Sequence, residues 1–413
     1  MRRYLCLLSA ALTAACTTVP ETPPAADPDV IASPPTDVIV AQPLPVPPNP
    51  PRVQTPTPAP SEPPPEPVIE APALSGFETL PFWANHDPRP GLAAFVRGCE
   101  TWAKSNPNDF LNPALRQYGR FKDWATPCQG AAVLNSVSPS EEDARNFFEG
   151  WFSPVQLSTA ADADGLLTGY YEPEVDVRLR PDSVFSEPIL AKPRTEAALK
   201  LPRARVNART SRVIAYGKPI DVFFLQIQGS GRLKYADGRI LRAAYAANNG
   251  QTYRSIGGVL VARGEMTLEQ ASKQAIENWM ARKGPGAARA LMNENPRYIY
   301  FTEQAIRPGE GPQGAMRVPL TAMGAIAVDP RYHPYGSLMW LETTLPTAPG
   351  DFRGAPTGLL VTAQDTGSAI KGPLRADLFF GSGAEAGNRA GVQKHRARWT
   401  LLLPKFISGP TIS

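Results

Sequence analysis

The chain has 413 residues, 47 of them proline, with 42% hydrophobic and 19% charged residues and a formal charge of +4. That length suits one large domain or two to three ordinary ones, but so many prolines exclude a compact body running from end to end. Three histidines and four cysteines, none at metal-motif spacing, disfavour a zinc centre.

Residues 1–15 read as an export signal. Arg2 and Arg3 precede an apolar run too short to span a bilayer as a mature helix. Ala14 and Ala15 before Cys16 match the processing site of a bacterial lipoprotein, although Thr13 stands where an aliphatic residue is usual; an ordinary secretory signal cut nearby is the alternative. Residues 16–73 form the lipidated N-terminus and a proline-rich linker, which has few aromatics and no helical or strand periodicity. In extended polyproline geometry such a tether reaches roughly 150 Å. Arg52 is its one basic residue against seven acids, so once Arg2 and Arg3 are also set aside about +8 remains on residues 74–413. A basic body of this kind suits an anionic polymer, nucleic acid or acidic cell-wall material.

In the body, Leu92, Phe95, Val96, Cys99 and Trp102 predict one helical face. Ser140 and Asp143 predict a capping box for a second helix carrying Ala144, Phe147, Phe148 and Trp151. Cys99 and Cys128 suit a disulfide in an exported chain, two buried free thiols being the alternative. "GLLTGYYEPEVDVRL" reads as a strand, and "IDVFFLQIQGSGRLKYADGRILRAAY" as strand-like runs on either side of an Asp237-Gly238 hairpin. "MTLEQASKQAIENWMARKG" predicts a helix with Thr267 and Gln270 as its capping box, Leu268, Ala271, Ala275 and Trp279 on one side and Gly284 as its stop. Beyond Pro312 come short strand-like runs, "MRVPLTAMGAIAVD", "GSLMWLET", "GLLVTAQD" and "ADLFFG", which together predict a small closed barrel.

Chemistry concentrates in two places. Asp329, Asp365 and Asp377 each border an apolar run beside a glycine- or proline-bearing loop, where an isolated aspartate is more often a turn residue. Three converging at one barrel mouth would raise the pKa of one member, although Lys371 and Arg375 would oppose this at Asp377. Asp365-Thr366-Gly367-Ser368 also matches the catalytic tetrapeptide of aspartic proteases, which need two such carboxylates; no second copy exists, so that reading requires a retropepsin-like dimer. The second place is central, where Gln226, Gln228, Gly229, Ser230 and Gly231 are followed by Asn248, Asn249, Tyr253 and Arg254. Amides, hydroxyls, rings and a guanidinium amid glycines suit a sugar polymer, and ordinary hairpin loops are the alternative. Neither glycine cluster has nucleotide-binding spacing.

"TGYYEP", "DVFFLQIQGSG", "YRSIGGVLVARGEM", "NPRYIYF" and "QDTGSAIKG" with "ADLFFGSGAEAGNRAG" resemble, in order, the membrane-bound lytic murein transglycosylase A family. The resemblance implies a mainly β fold: a double-psi β-barrel from residues 74–175 and 312–413 with N-terminal helices, and an inserted glycan-binding β domain over 176–311. It implies exolytic cleavage of the MurNAc–GlcNAc β-1,4 bond of peptidoglycan, leaving 1,6-anhydro-MurNAc ends. The family's catalytic aspartate lies twelve residues beyond the aspartate of its D-x-G-x-A-I-K-G block, which implies catalysis by Asp377 supported by Asp365 and Asp329. Tyr170, Tyr171, Gln228, Gly229, Ser230, Gly231, Tyr253, Arg254 and Lys371 are the implied substrate-binding positions. Glu172, directly after the paired tyrosines, stands where the family varies.

These readings require no metal or organic cofactor. Expected partners are glycan strands, a membrane reached through the lipid on Cys16, and cell-wall synthesis or division complexes. Nucleic acid is disfavoured because no dense basic run interleaves with aromatics. The periplasmic face of the outer membrane of a Gram-negative bacterium is the expected location, because Thr17 is not the aspartate that favours inner-membrane retention. A non-catalytic murein-binding lipoprotein is the remaining alternative.

Overall fold

The computed structural model describes residues 76–157, 164–267, 270–307 and 309–407. The expected signal, the Cys16 lipidation site, the linker and Leu268 lie outside them.

Three helices lead into the body. α1 (Arg89–Trp102) buries Leu92, Phe95, Cys99 and Trp102, the expected face. α2 (Phe121–Ser136) is not among the expected helices: its buried Trp124, Pro127 and Ala131 keep helical spacing, but Pro127 inside it reads locally as a breaker. Its Cys128 is joined to Cys99 by a disulfide, Cα atoms 5.5 Å apart. α3 (Glu141–Trp151) begins at the Ser140–Asp143 capping box, in which each residue's backbone N–H donates to the other's side chain at 3.1 Å.

The chain then enters sheet structure with β1 (Phe152–Leu157) and β2 (Gly165–Glu172). "GLLTGYYEPEVDVRL" is two strands: Pro173 interrupts the run, and β3 (Glu174–Arg178) belongs to a different sheet from β2. That second sheet continues with β4 (Glu187–Leu190), the short helix α4 (Glu196–Leu199) and β5 (Val213–Gly217). Next comes α5 (Pro219–Gln228), where "VFFLQIQ" had read as a strand. Helix wins because Pro219 sits in the first turn, Asp221 lies at the positive end of the dipole, and Gly229 takes the left-handed conformation (φ 83°) that closes it.

β6 (Gly231–Tyr235) and β7 (Ile240–Asn248) form the expected hairpin, with Gly238 at φ 86°. α6 (Ile256–Ala262) and α7 (Lys273–Asn293) follow. The Thr267–Gln270 box forms, but Ser272 caps α7, and Gly284 ends a first segment before Pro285 opens a second. β8 (Ile299–Gln304) completes a six-stranded sheet of order β4-β5-β3-β6-β7-β8.

The return segment supplies β9 (Ala325–Ala327), β10 (Leu338–Leu345), β11 (Ala355–Asp365), β12 (Arg375–Ser382), α8 (Gly383–Ala390) and β13 (Lys394–Pro404). With β1 and β2 they form a seven-stranded sheet of order β1-β13-β10-β11-β9-β12-β2, and β13 also pairs with β2, which closes the ring. Parallel pairs β9–β11 and β2–β12 among antiparallel neighbours give the expected double-psi barrel. Its core, which includes Leu338, Trp340, Val361, Leu378, Trp399 and Leu401, is continuous with the buried faces of α1 to α3. The protein is mainly β with peripheral helices.

Candidate active site

The three-residue strand β9 sets the geometry of the carboxylates. Asp365 on β11 and Asp377 on β12 both have Ala327 as their cross-strand partner. Two strand spacings, roughly 10 Å at the backbone, therefore separate them. Residues alternate across β12, so Ala376 and Leu378 enter the barrel core while Asp377 takes the other face, where its side chain keeps 22% exposure.

Each carboxylate has a different environment. Burial raises the pKa of Asp377, opposed by the Arg375 guanidinium, whose Nη1 donates to Oδ1 at 2.9 Å. Arg375 lies two residues upstream on the same face, and its Nη2 also donates to Oγ1 of Thr168, the β2 partner of Asp377, at 2.8 Å. Burial pushes Asp365 up to about 6, helped by the charge of Asp377 and resisted by hydrogen bonds. Both its oxygens are engaged, Oδ1 by the Ala315 N–H at 2.9 Å and Oδ2 by the Tyr170 hydroxyl at 3.0 Å. Burial together with the Asp365 charge lifts the Tyr170 phenol well above its ordinary pKa, so Tyr170 remains a donor.

Asp329 is the opposite case. Burial resists its ionisation, but the Arg331 side chain and the N–H groups of Gly372 and Arg331 bring its pKa down to about 2. It is a permanent anion, 1% exposed, that pins the loop between Asp365 and Asp377. His333 pins the same loop. Burial holds its pKa down near 4, so the neutral ring donates from Nε2 to the Pro373 carbonyl at 2.6 Å and accepts from the Tyr118 hydroxyl at Nδ1, 2.9 Å away. The ring also stacks on Trp399. Sequence reasoning passed over His333; its only signal was its place four residues after Asp329.

The expected substrate-binding positions divide. Tyr170 bonds Asp365 and packs against Phe379, and Tyr253 of the second sheet's lobe feels the Asp377 charge, so these two share the carboxylates' surroundings. Tyr171 buries its ring against Gly387, its phenol feels Lys273, Glu277 and Asp221 of the second lobe, and its N–H donates to Gln228 Oε1 at 3.1 Å. Gly231 is a packing position, since a Cβ there would lie 2.3 Å from Leu225 Cδ1 and 2.8 Å from the Pro173 carbonyl. Gly229 and Ser230 follow as the half-buried turn after α5. Arg254 is paired with Glu294 at 2.7 Å within its own lobe, and Lys371 is exposed beside Gly372.

A partly exposed carboxyl of raised pKa, one strand pairing away on each side of Ala327 from a second carboxyl bonded at both oxygens, is an arrangement suited to general acid–base chemistry. Comparison with known proteins narrows the class. Residues 198–302 match the family model described as the MltA specific insert domain, and residues 324–403 match the 3D domain. The membrane-bound lytic murein transglycosylase A of Escherichia coli strain K12 is 35% identical over 304 residues, covering 71% of this chain and 80% of that protein. Among solved structures, a membrane-bound lytic murein transglycosylase from Agrobacterium tumefaciens is 30% identical with a TM-score of 0.67, covering 80% of this chain and 97% of that one. Escherichia coli MltA with bound chitohexaose is 28% identical with a TM-score of 0.61, covering 76% and 89%. The chain belongs to the membrane-bound lytic murein transglycosylase A family.

Proposed function

We propose that this peptidoglycan-cleaving transglycosylase works through Asp377 alone, acting first as acid and then as base. The observation that carries this reading is the unequal state of the two elevated carboxyls: Asp365 has both oxygens committed to Tyr170 and Ala315, whereas Asp377 is partly exposed and held at Oδ1. Two-carboxylate hydrolysis would need the second group free to activate water or attack the sugar.

Protonated Asp377 gives its proton to the bridging oxygen of the MurNAc–GlcNAc bond. That C1–O bond breaks, and the GlcNAc hydroxyl departs from an oxocarbenium-like centre. The carboxylate then accepts the proton of the MurNAc 6-hydroxyl as O6 attacks C1 of the same sugar. The ring closes as a 1,6-anhydro end, no water is consumed, and Asp377 is again protonated. The charge of Asp377 adds to the proton affinity of Asp365, and Asp329 holds the intervening loop.

The lobe over residues 176–311 binds the glycan strand, with Tyr253 reaching towards the acid, and cleavage proceeds from chain ends. The basic body draws in the stem-peptide carboxylates of murein. A lipid on Cys16 anchors the chain to the periplasmic face of the outer membrane, and the linker lets the barrel reach the wall and cell-wall synthesis or division complexes. Asp377→Asn should keep the melting temperature and lower turnover on purified murein by about 10³-fold or more. Cleavage at the unmodified rate in the folded variant would refute the assignment.

A further inference from the structure

A buried charge cluster lies where the two lobes join. Glu172, the last residue of β2, is fully buried, and its carboxylate gathers donors from three elements. Arg242 Nε on β7 donates to Oε1 at 2.6 Å, while Arg232 Nε on β6 and Ser382 Oγ at the end of β12 donate to Oε2 at 3.0 and 2.6 Å.

The same two arginines also bind the chain where it crosses between lobes. On the way out, the Arg232 N–H donates to the Pro173 carbonyl at 2.7 Å; on the return, Arg242 Nη2 donates to the Glu310 carbonyl at 2.8 Å. One carboxylate thus ties both crossings, the strand that carries Tyr170 and the strand that carries Asp377 to the second sheet. Burying these charges costs desolvation that well-packed apolar residues would avoid, so the arrangement contributes direction more than stability. Charge-assisted, multiply bonded pairs fix both angle and distance.

We propose that Glu172 is a positioning residue, a clasp that sets the angle between the lobes and with it the cleft between the second sheet's lobe and Asp377. The consequence for catalysis rests on the transglycosylase reading, whereas the clasp itself is measurable without activity. Spin labels at Ala208→Cys in the second lobe and Ala348→Cys in the barrel, both exposed positions, report the interlobe distance by pulsed electron–electron resonance. The intact chain should give one narrow distribution, and Glu172→Gln a broadened or split one. KM for murein should rise about tenfold in Glu172→Gln with kcat changing less and the pH profile in place, and Glu172→Asp should recover part of the loss.

Ser382→Ala removes one neutral donor and leaves both ion pairs, so it should broaden the distribution in the same direction by a smaller amount even where Glu172→Gln does not fold. Distances that stay narrow in the folded variants would overturn the proposal, as would a broadened distribution with unchanged KM. Full activity in Asp377→Asn would instead refute the functional reading and leave the clasp standing.

Discussion

Burial and the Arg375 guanidinium act on the proton affinity of Asp377 in opposite directions, and substitution separates them. Because the acid form starts the reaction, kcat/KM should fall as pH rises through the elevated pKa of Asp377. Arg375→Gln removes the opposing cation, so the decline should move to higher pH. A profile on one murein preparation checks this, and a decline that stays in place or moves to lower pH would contradict the arrangement. Stability should follow the same carboxyls. Asp365, near 6 when folded, binds protons more tightly than in the unfolded chain, so it costs stability as pH rises from about 4 to 6. Asp329, near 2, contributes stability above about 4 that is lost as pH falls towards 2. The acids themselves were legible in the sequence, as was the opposition from Arg375. The commitment of both Asp365 oxygens was not, because Ala315 lies fifty residues away and Tyr170 in a distant strand.

At the scale of elements, legibility followed the strength of local signals. α1 and α3 declared themselves by period and cap, and the Asp237-Gly238 hairpin by its turn. α5 was misread because a short apolar run has no decisive period, although Pro219, Asp221 and Gly229 all marked a helix. β2 and β3 read as one strand, and Pro173 carried the missing information: it stands where the chain leaves the barrel. The disulfide between α1 and α2 closes a 29-residue separation. Cys99→Ser with Cys128→Ser should therefore lower unfolding free energy by about 3 kcal/mol in denaturant titrations. Murein cleavage at room temperature should persist, since neither helix carries a carboxylate of the site. Unchanged stability would show that packing of the two helices already fixes them.

For the whole molecule, the decisive facts are long-range. That Asp365 and Asp377 share Ala327 follows from a three-residue strand pairing on both sides, and no periodicity announces so short an element. The junction of the lobes was equally hidden, because Glu172 meets Arg232 and Arg242 only after the chain has built most of a second sheet. The resemblance of whole sequence blocks carried the architecture, and the unequal engagement of the two carboxyls supports the proposal that one acid suffices. Mass spectrometry of the soluble products from purified murein tests that claim most directly. The account predicts muropeptides ending in 1,6-anhydro-MurNAc, one water lighter than muramidase products, and none from Asp377→Asn. Hydrated reducing ends would show that water is activated after all and would contradict it.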